Sequence, residues 1–335
     1  MILVTGGTGL VGSHLLYELL KTGQKVVAVH RESSNLEVVK NVFSYYTDAP
    51  EALFKKIQWL EADITDVVSL EKAFYGVKYV YHCAALISFD ADDDYQMSKA
   101  NIEGTANVVN LSISNSIEKL CFVSSIAAIG KPLSGQEITE KDDWDINDSN
   151  YGYAITKHGA EMEVWRASQE GLDVVIVNPG VILGGGFWQS GSGKLFSRIY
   201  KGLAFYTTGV TGFIGVEDVV KAMITLMESQ LVNERFILIS ENLSFKDILF
   251  GIADALNAKR PHIKTIPWMS SFYWRLEWLL KVISGKTPLL TRHAARASHR
   301  NYRYSNEKIK KEINCEFTPL QVVIEQTGKQ FFKDL

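Results

Sequence analysis

The sequence predicts an α/β protein, a doubly wound parallel sheet with a smaller, mostly α C-terminal substrate lobe. Three observations carry that expectation. The chain opens on a short apolar run, Ile2 to Val4, that enters a glycine cluster and leaves it as a helical pattern. Apolar strand runs then alternate with amphipathic helical patterns through the first half, the signature of a parallel sheet covered on both faces. The runs end at Gly6, Arg31, Asp63, Ala84, Ser125 and Asn178, and ligands of such sheets bind at the carboxyl ends of strands.

In order, the predicted strands after Ile2–Val4 are Lys25–His30, Ile57–Ile64, Val77–Cys83, Leu120–Ser125 and Leu172–Pro179. Helical patterns fall at 10–22, 66–75, 99–114 and 152–169. Gly6, Gly9 and Gly12 are spaced G-x-x-G-x-x-G, a relative of the dinucleotide fingerprint with one more residue between the first two glycines. Glycine permits the sharp turn and a close approach of backbone to pyrophosphate, and the last one permits close helix–strand packing. The helix N-terminus then faces the phosphates. Thr8, Leu10 and Val11 complete the expected turn. This is the Rossmann arrangement, expected over residues 1–180 with 211–240 returning to it. After Pro179 the rhythm breaks at Gly184-Gly185-Gly186 and the Ser190–Gly193 loop. A helix at 217–229, a strand at Arg235–Ser240, a helix at 244–256 and a terminal helix from Pro319 are predicted beyond it. Residues 181–210 and 241–335 form the expected substrate lobe.

Composition sets outer bounds. The 335 residues are 46% hydrophobic and 22% charged, enough for a sizeable core, and the net charge of −3 argues against a general nucleic-acid binder. Cys83, Cys121 and Cys315 are an odd set without metal spacing and read as inert reduced thiols. The seven histidines show no ligand spacing either, so no metal is predicted. No apolar stretch is long enough to span a bilayer, and the first strand starts at Met1 without room for a signal peptide. A cytoplasmic protein is expected.

The second strand should end at the adenosine ribose. Arg31, with Ser33 and Ser34 behind it, suits a 2′-phosphate, whereas Glu32 would repel one if it turned inward. NADP is therefore preferred and NAD remains possible. Asp63 has two readings: it accepts from the adenine amino group while Ile64 covers the ring, or it caps the turn into helix 66–75.

Tyr153 and Lys157 are four residues apart and share one helix face. A phenol normally titrates near ~10, and an ammonium held close lowers that value, giving a proton carrier beside a carbinol carbon. Ser125, five residues before Gly130, is the expected donor that orients the substrate oxygen, and Ser124 should point to the opposite face.

Taken together, several ordered pieces resemble the extended short-chain dehydrogenase/reductases: the turn at residues 5–12, Asp63, His82-Cys83-Ala84-Ala85, Asn101–Thr105, Ser124-Ser125, Tyr153 with Lys157, and Asn178-Pro179-Gly180. Thr139–Trp144, Glu217–Val220 and Gly285–Thr291 resemble the dihydroflavonol-reductase and 3β-hydroxysteroid-dehydrogenase branch. The resemblance implies Ser125, Tyr153 and Lys157 as catalytic triad, with Lys157 also touching the nicotinamide ribose. It implies Ala84 and Ala85 against the dinucleotide, and Pro179 with Val181 beside the nicotinamide. Asn101 is either a cofactor-side residue or a helix N-cap. A homodimer through helices 99–114 and 152–169 is implied as well. Ile129 stands where many sugar-nucleotide epimerases carry Tyr, and the Asn178-Pro179 segment lacks their Arg; both lean toward reductases.

The substrate side is less legible. Phe187, Trp188, Phe205, Tyr206, Trp268, Phe272, Tyr273, Trp274 and Trp278 either line an apolar pocket or are core. Residues 281–311 hold nine Lys/Arg and one acid, Glu307, read as a solvated face, a partner for the acidic loop 140–148, or an anion site. The leading functional expectation is an NAD(P)-dependent oxidoreductase acting on a carbonyl or secondary alcohol of a small, mostly apolar molecule. A sugar-nucleotide epimerase or dehydratase with tightly bound NAD is the alternative, and a non-catalytic dinucleotide-binding regulator is a third.

Overall fold

Successive residues of β1 (Ile2–Thr5) point to opposite sides: Leu3 joins one apolar cluster and Val4 another. That alternation places β1 at the centre of a layered structure. A computed structural model describes residues 1–88, 90–131, 136–145, 152–284 and 291–335, with Ala91 and 278–284 by backbone alone. The following strands are β2 (Val26–His30), β3 (Gln58–Glu61), β4 (Tyr79–His82), β5 (Lys119–Val123) and β6 (Asp173–Pro179). Beyond them come β7 (Val181–Leu183), β8 (Phe205–Tyr206), β9 (Val210–Gly215), β10 (Glu234–Leu238), β11 (Glu241–Ser244) and β12 (Ile263–Lys264). Seven of these form one parallel sheet in the order β10-β6-β5-β4-β1-β2-β3. The order reverses at β1, and the crevice between β1 and β4 is where such sheets bind ligands.

The helices up to β6 are α1 (Leu10–Lys21), α2 (Glu37–Ser44), α3 (Pro50–Phe54), α4 (Val67–Glu71), α5 (Asp94–Ser98), α6 (Gly104–Ser114) and α7 (Gly152–Gln169). The helix expected over 99–114 starts earlier: α5 runs through a π turn at Lys99–Glu103 into α6. The third strand is shorter than the expected 57–64, because Asp63 and Asp66 turn the chain into α4. Of the two sheet faces, α1 and α9 (Val216–Glu228) cover one with Leu15, Leu16, Leu19, Val219 and Met223; α6 and α7 cover the other with Val108, Val109, Ala160 and Val164.

After β7 the chain forms α8 (Gly193–Tyr200) before α9, and α10 (Phe245–Ala255), α11 (Pro267–Ser284), α12 (Arg292–Ala297), α13 (Glu307–Ile313) and α14 (Leu320–Lys333) after it. β10 returns to the large sheet, whereas β9 lies between β7 and β11 in a three-stranded sheet. A third apolar cluster, including Phe196, Phe213, Ile252, Leu320 and Phe331, joins α8, β9, α10 and α14. Trp188 belongs with it, edge-on to Phe196 and Phe331 with its Nε1 donating to Asp334. Phe205, Trp268, Phe272 and Tyr273 are exposed instead. In α11 Ser270 is buried and bonded to His299, and Trp274 is half-buried. The side chain of Trp278 and residues 285–290 lie outside the described residues. Among the described residues no helix is long and apolar enough to cross a membrane.

One buried cation has a structural task. Lys119, at the start of β5, donates to the carbonyls of Leu226 (2.7 Å) and Ser229 (2.9 Å), capping the C-terminus of α9. Lys119→Met should lower unfolding stability by about 1–3 kcal/mol, read as a lower urea midpoint at constant m-value.

Candidate active site

The glycine turn is built by backbone crowding. Gly6 has φ +68°, and a Cβ there would lie 2.5 Å from the Ala84 amide nitrogen. A Cβ on Gly12 would lie 2.2 Å from the Gly6 carbonyl oxygen. Gly9 differs. Its N–H donates to Gly6 O (3.0 Å), but an added Cβ would meet only that oxygen, at 3.4 Å. Thus Gly6 and Gly12 let the turn close, while Gly9 faces open space. α1 begins there with no side-chain cap, so its first-turn amides present donors to an anion.

A buried histidine ties this turn to β4. Thr5 Oγ1 accepts from the Ala84 N–H (3.3 Å) and bonds His82 Nδ1 (2.6 Å), the nitrogen left to accept its proton once Nε2 carries the ring hydrogen. On the other side Thr105 donates to Asn101 O (2.5 Å), so His82 Nε2–H donates to Thr105 Oγ1 (2.9 Å). The ring is therefore neutral and of one tautomer, and burial beside Lys157 pushes its pKa down to about 3. The sequence showed His82 but nothing of its two threonine partners.

The expected cofactor residues are distributed around this crevice. Arg31 is exposed at the end of β2, its backbone closed into a turn by Ser34. Asp63 Oδ1 accepts from the Thr65 amide and hydroxyl, both at 2.8 Å, while Asp66 rather than Asp63 caps α4. Ile64 sits against Gly104. Asn101 is interior to the helical run, not an N-cap; its amide bonds both backbone groups of Leu86 and the Thr156 hydroxyl. It braces the loop after Ala84 and Ala85 against α7. Pro179 ends β6 and Val181 opens β7.

The reactive set comes from β5 and α7. Ser125 caps the turn Ile126–Ala128, its Oγ accepting from the Ala127 amide (3.1 Å). Its hydroxyl proton is thereby left for Tyr153, whose phenol hydrogen-bonds the Ser125 side chain. Lys157 is buried, donates to Val123 O (2.7 Å) and lies over the Phe122 ring at 4.5 Å. Ser124 turns the other way, as expected, to Glu161. One expectation is corrected. Burial pushes the Tyr153 phenol up to about 12, and it is Ser125, not Lys157, that pulls it back. Lys157 has itself lost water, and burial takes it down to about 8 against the opposing pull of Glu161. At neutral pH the phenol keeps its proton and the lysine is an ammonium, so Tyr153 has a proton to give.

A family model described as "NAD dependent epimerase/dehydratase family" matches residues 2–238. The chain belongs to that family. Among its relatives, this family member is 28% identical over 321 residues to a putative dihydroflavonol 4-reductase of Synechocystis sp., covering 92% of this chain and 88% of that protein. It is 29% identical to an anthocyanidin reductase of Arabidopsis thaliana (73% and 77% covered) and 25% identical to cinnamoyl-CoA reductase 1 of Petunia hybrida (98% and 91%). The crystal structure of gox2253 superposes with a TM-score of 0.82 at 25% identity, covering 100% of this chain and 98% of that one. A UDP-glucose 4-epimerase from Thermotoga maritima shares the fold at a TM-score of 0.79 and 20% identity, with 99% of each chain covered. The chain is an NAD(P)-dependent oxidoreductase of the extended short-chain dehydrogenase/reductase type.

Proposed function

We propose that the protein is an NADPH-dependent reductase of a small, mostly apolar carbonyl compound, acting in the cytoplasm as a homodimer. The observation that carries this reading is the Ser125–Tyr153 hydrogen bond beside the buried Lys157. The glycine turn, with Thr8, Leu10 and Val11, would hold the pyrophosphate. Arg31 would hold the 2′-phosphate, and Asp63 with Ile64 the adenine. Ala84 and Ala85 would flank the dinucleotide, while Pro179, Val181 and Lys157 would hold its nicotinamide end. When bound, the cofactor supplies a hydride to the carbonyl carbon. Ser125 orients the carbonyl oxygen, and the Tyr153 phenol gives it the proton that makes the alcohol. A protonated phenol suits that direction. The names of the relatives favour flat aromatic substrates of dihydroflavonol, anthocyanidin or cinnamoyl type.

Ile129 supports the reductase reading over the epimerase one, since it is packed with Ile126, Ile138 and Ile237 and brings no hydroxyl to the site. Ile155 and Met162, seven residues apart on one exposed face of α7, support the dimer. A panel of such aromatic carbonyl compounds and of sugar nucleotides, followed by NADPH absorbance, tests the activity. Consumption of NADPH with the former is expected, and none with any of them would overturn the proposal. Arg31→Ala should weaken NADPH about tenfold or more through loss of a charge-assisted contact and leave NADH nearly unchanged. An equal effect on both cofactors would show that Arg31 reads no phosphate.

A further inference from the structure

Four residues beyond Lys157 on the same helix stands a carboxylate that the reaction described above does not use. Glu161 has no exposed surface. Its two oxygens accept from four donors: Ser124 Oγ at 2.6 Å, Asn178 Nδ2 at 2.8 Å, Arg235 Nη1 at 3.1 Å and Trp165 Nε1 at 3.4 Å. Only an ionised carboxylate takes donors on every side. Replacing a buried ion pair by apolar side chains is often neutral or stabilising, so stability alone is a weak reason for one here.

Two of the partners of Glu161, Ser124 and Asn178, lead to Ser125. Ser124 is its chain neighbour. Asn178 gives its second amide hydrogen to the Ser125 carbonyl (3.0 Å), and its buried Oδ1 has no partner among the described residues. The charge on Glu161 enforces that orientation: a flipped amide would set oxygen against oxygen. Arg235 spans from Glu161 to the carbonyls of Glu140 and Asp142, and the Asp142 carbonyl accepts from the Gly130 amide. With Lys157 bonded to Val123 O, residues 123 to 125 are held in turn by Lys157 and Glu161 of α7 and by Asn178 of β6.

Resting on the reductase reading, we propose that Glu161 is a positioning residue for the reaction. Through Ser124 and Asn178 it fixes the backbone that presents Ser125 to Tyr153, and its charge, one helical turn away, holds the Lys157 ammonium. Burial acts on Lys157 in the opposite sense, toward the neutral amine, and Glu161 is the larger of the groups that oppose it. The other groups facing Lys157 are the Cys83 thiol, which burial pushes up to about 12, and the neutral His82, both from the end of β4. Phe122 faces it from β5, and Tyr153 shares its helix. Arg235 and Glu140 stand behind Glu161, with Glu140 engaged by the Ile237 amide.

The test is Glu161→Gln with two readouts. The midpoint of Lys157, followed by NMR of protein labelled with [13Cε]lysine, should fall by about one pH unit. The kcat for the carbonyl substrate, measured at pH 6 where the amine is charged in both proteins, should fall about ten- to a hundredfold, with NADPH affinity unchanged. Glu161→Asp keeps the charge but not the reach, so it should retain the midpoint and lose kcat. Should Glu161→Gln not fold, Glu161→Gln combined with Arg235→Gln removes the unpaired cation and is read in the same way. A variant with wild-type midpoint and wild-type kcat, whatever its melting temperature, overturns the inference. The unaltered protein run alongside separates the two proposals: no NADPH consumption there sinks the reductase reading, while the lysine midpoint still decides the role of Glu161.

Discussion

Tyr153→Phe should lose carbonyl reduction by about a thousandfold, within the range set by removing a positioned acid, while NADPH binds as before. The phenyl ring keeps its place in the half-buried wall of the site; only the hydroxyl bonded to Ser125 is removed. Loss of kcat at constant cofactor affinity is the mark of a group used in the transition state alone. Stopped-flow NADPH oxidation and fluorescence titration separate the two quantities. The wild-type profile should be flat through neutral pH and fall above about 8, where Lys157 loses its proton. The same shift makes the unfolded chain bind more protons than the folded one between about 8 and 10.5, so this lysine's contribution disfavours folding at neutral pH and recovers as pH rises through that window. Tyr153 acts oppositely, its contribution falling between 10 and about 12.

Gly9→Ala should give a stable protein that binds dinucleotide at least about tenfold more weakly. Gly9 has φ −98°, which alanine adopts freely, and its added methyl would touch only the Gly6 carbonyl oxygen. What the methyl would occupy is the space in front of the turn, where backbone must approach a pyrophosphate. Gly12→Ala is the contrast, because a Cβ 2.2 Å from Gly6 O forces the turn apart and lowers stability as well. Titration with NADPH beside thermal melts distinguishes them. Normal melting with normal affinity in Gly9→Ala would show that nothing anionic lies against this turn.

The parts of this site that sequence exposes are those written locally. The glycine spacing, the strand ends and the four-residue offset from Tyr153 to Lys157 are each readable within a dozen residues, and β1, β2 and α7 form close to where the pattern puts them. Burial is not written locally. The loosening of the Tyr153 proton was expected from charge proximity, yet desolvation is the larger effect on both residues. Glu161 meets Arg235 across 74 positions and His82 meets Thr5 across 77, and no spacing rule announces such pairs. The aromatic residues of α11 misled for a related reason: Ser270 faces inward, while Trp268 and Phe272 stay outside. Nor does composition reveal that Lys308 of the basic segment spans to Glu234 and the Arg235 carbonyl, or that Tyr304 bridges to Ile138 beside the acidic loop.

The central claim is that hydride and proton are delivered to one carbonyl from opposite sources, the nicotinamide and Tyr153. Reduction of an aromatic ketone with NADPH deuterated at C4, each face in turn, tests it most directly. One face should leave a single deuterium on the new carbinol carbon of every product molecule, in step with NADPH consumed. Product free of deuterium from both faces, or turnover without net NADPH loss, would contradict the account.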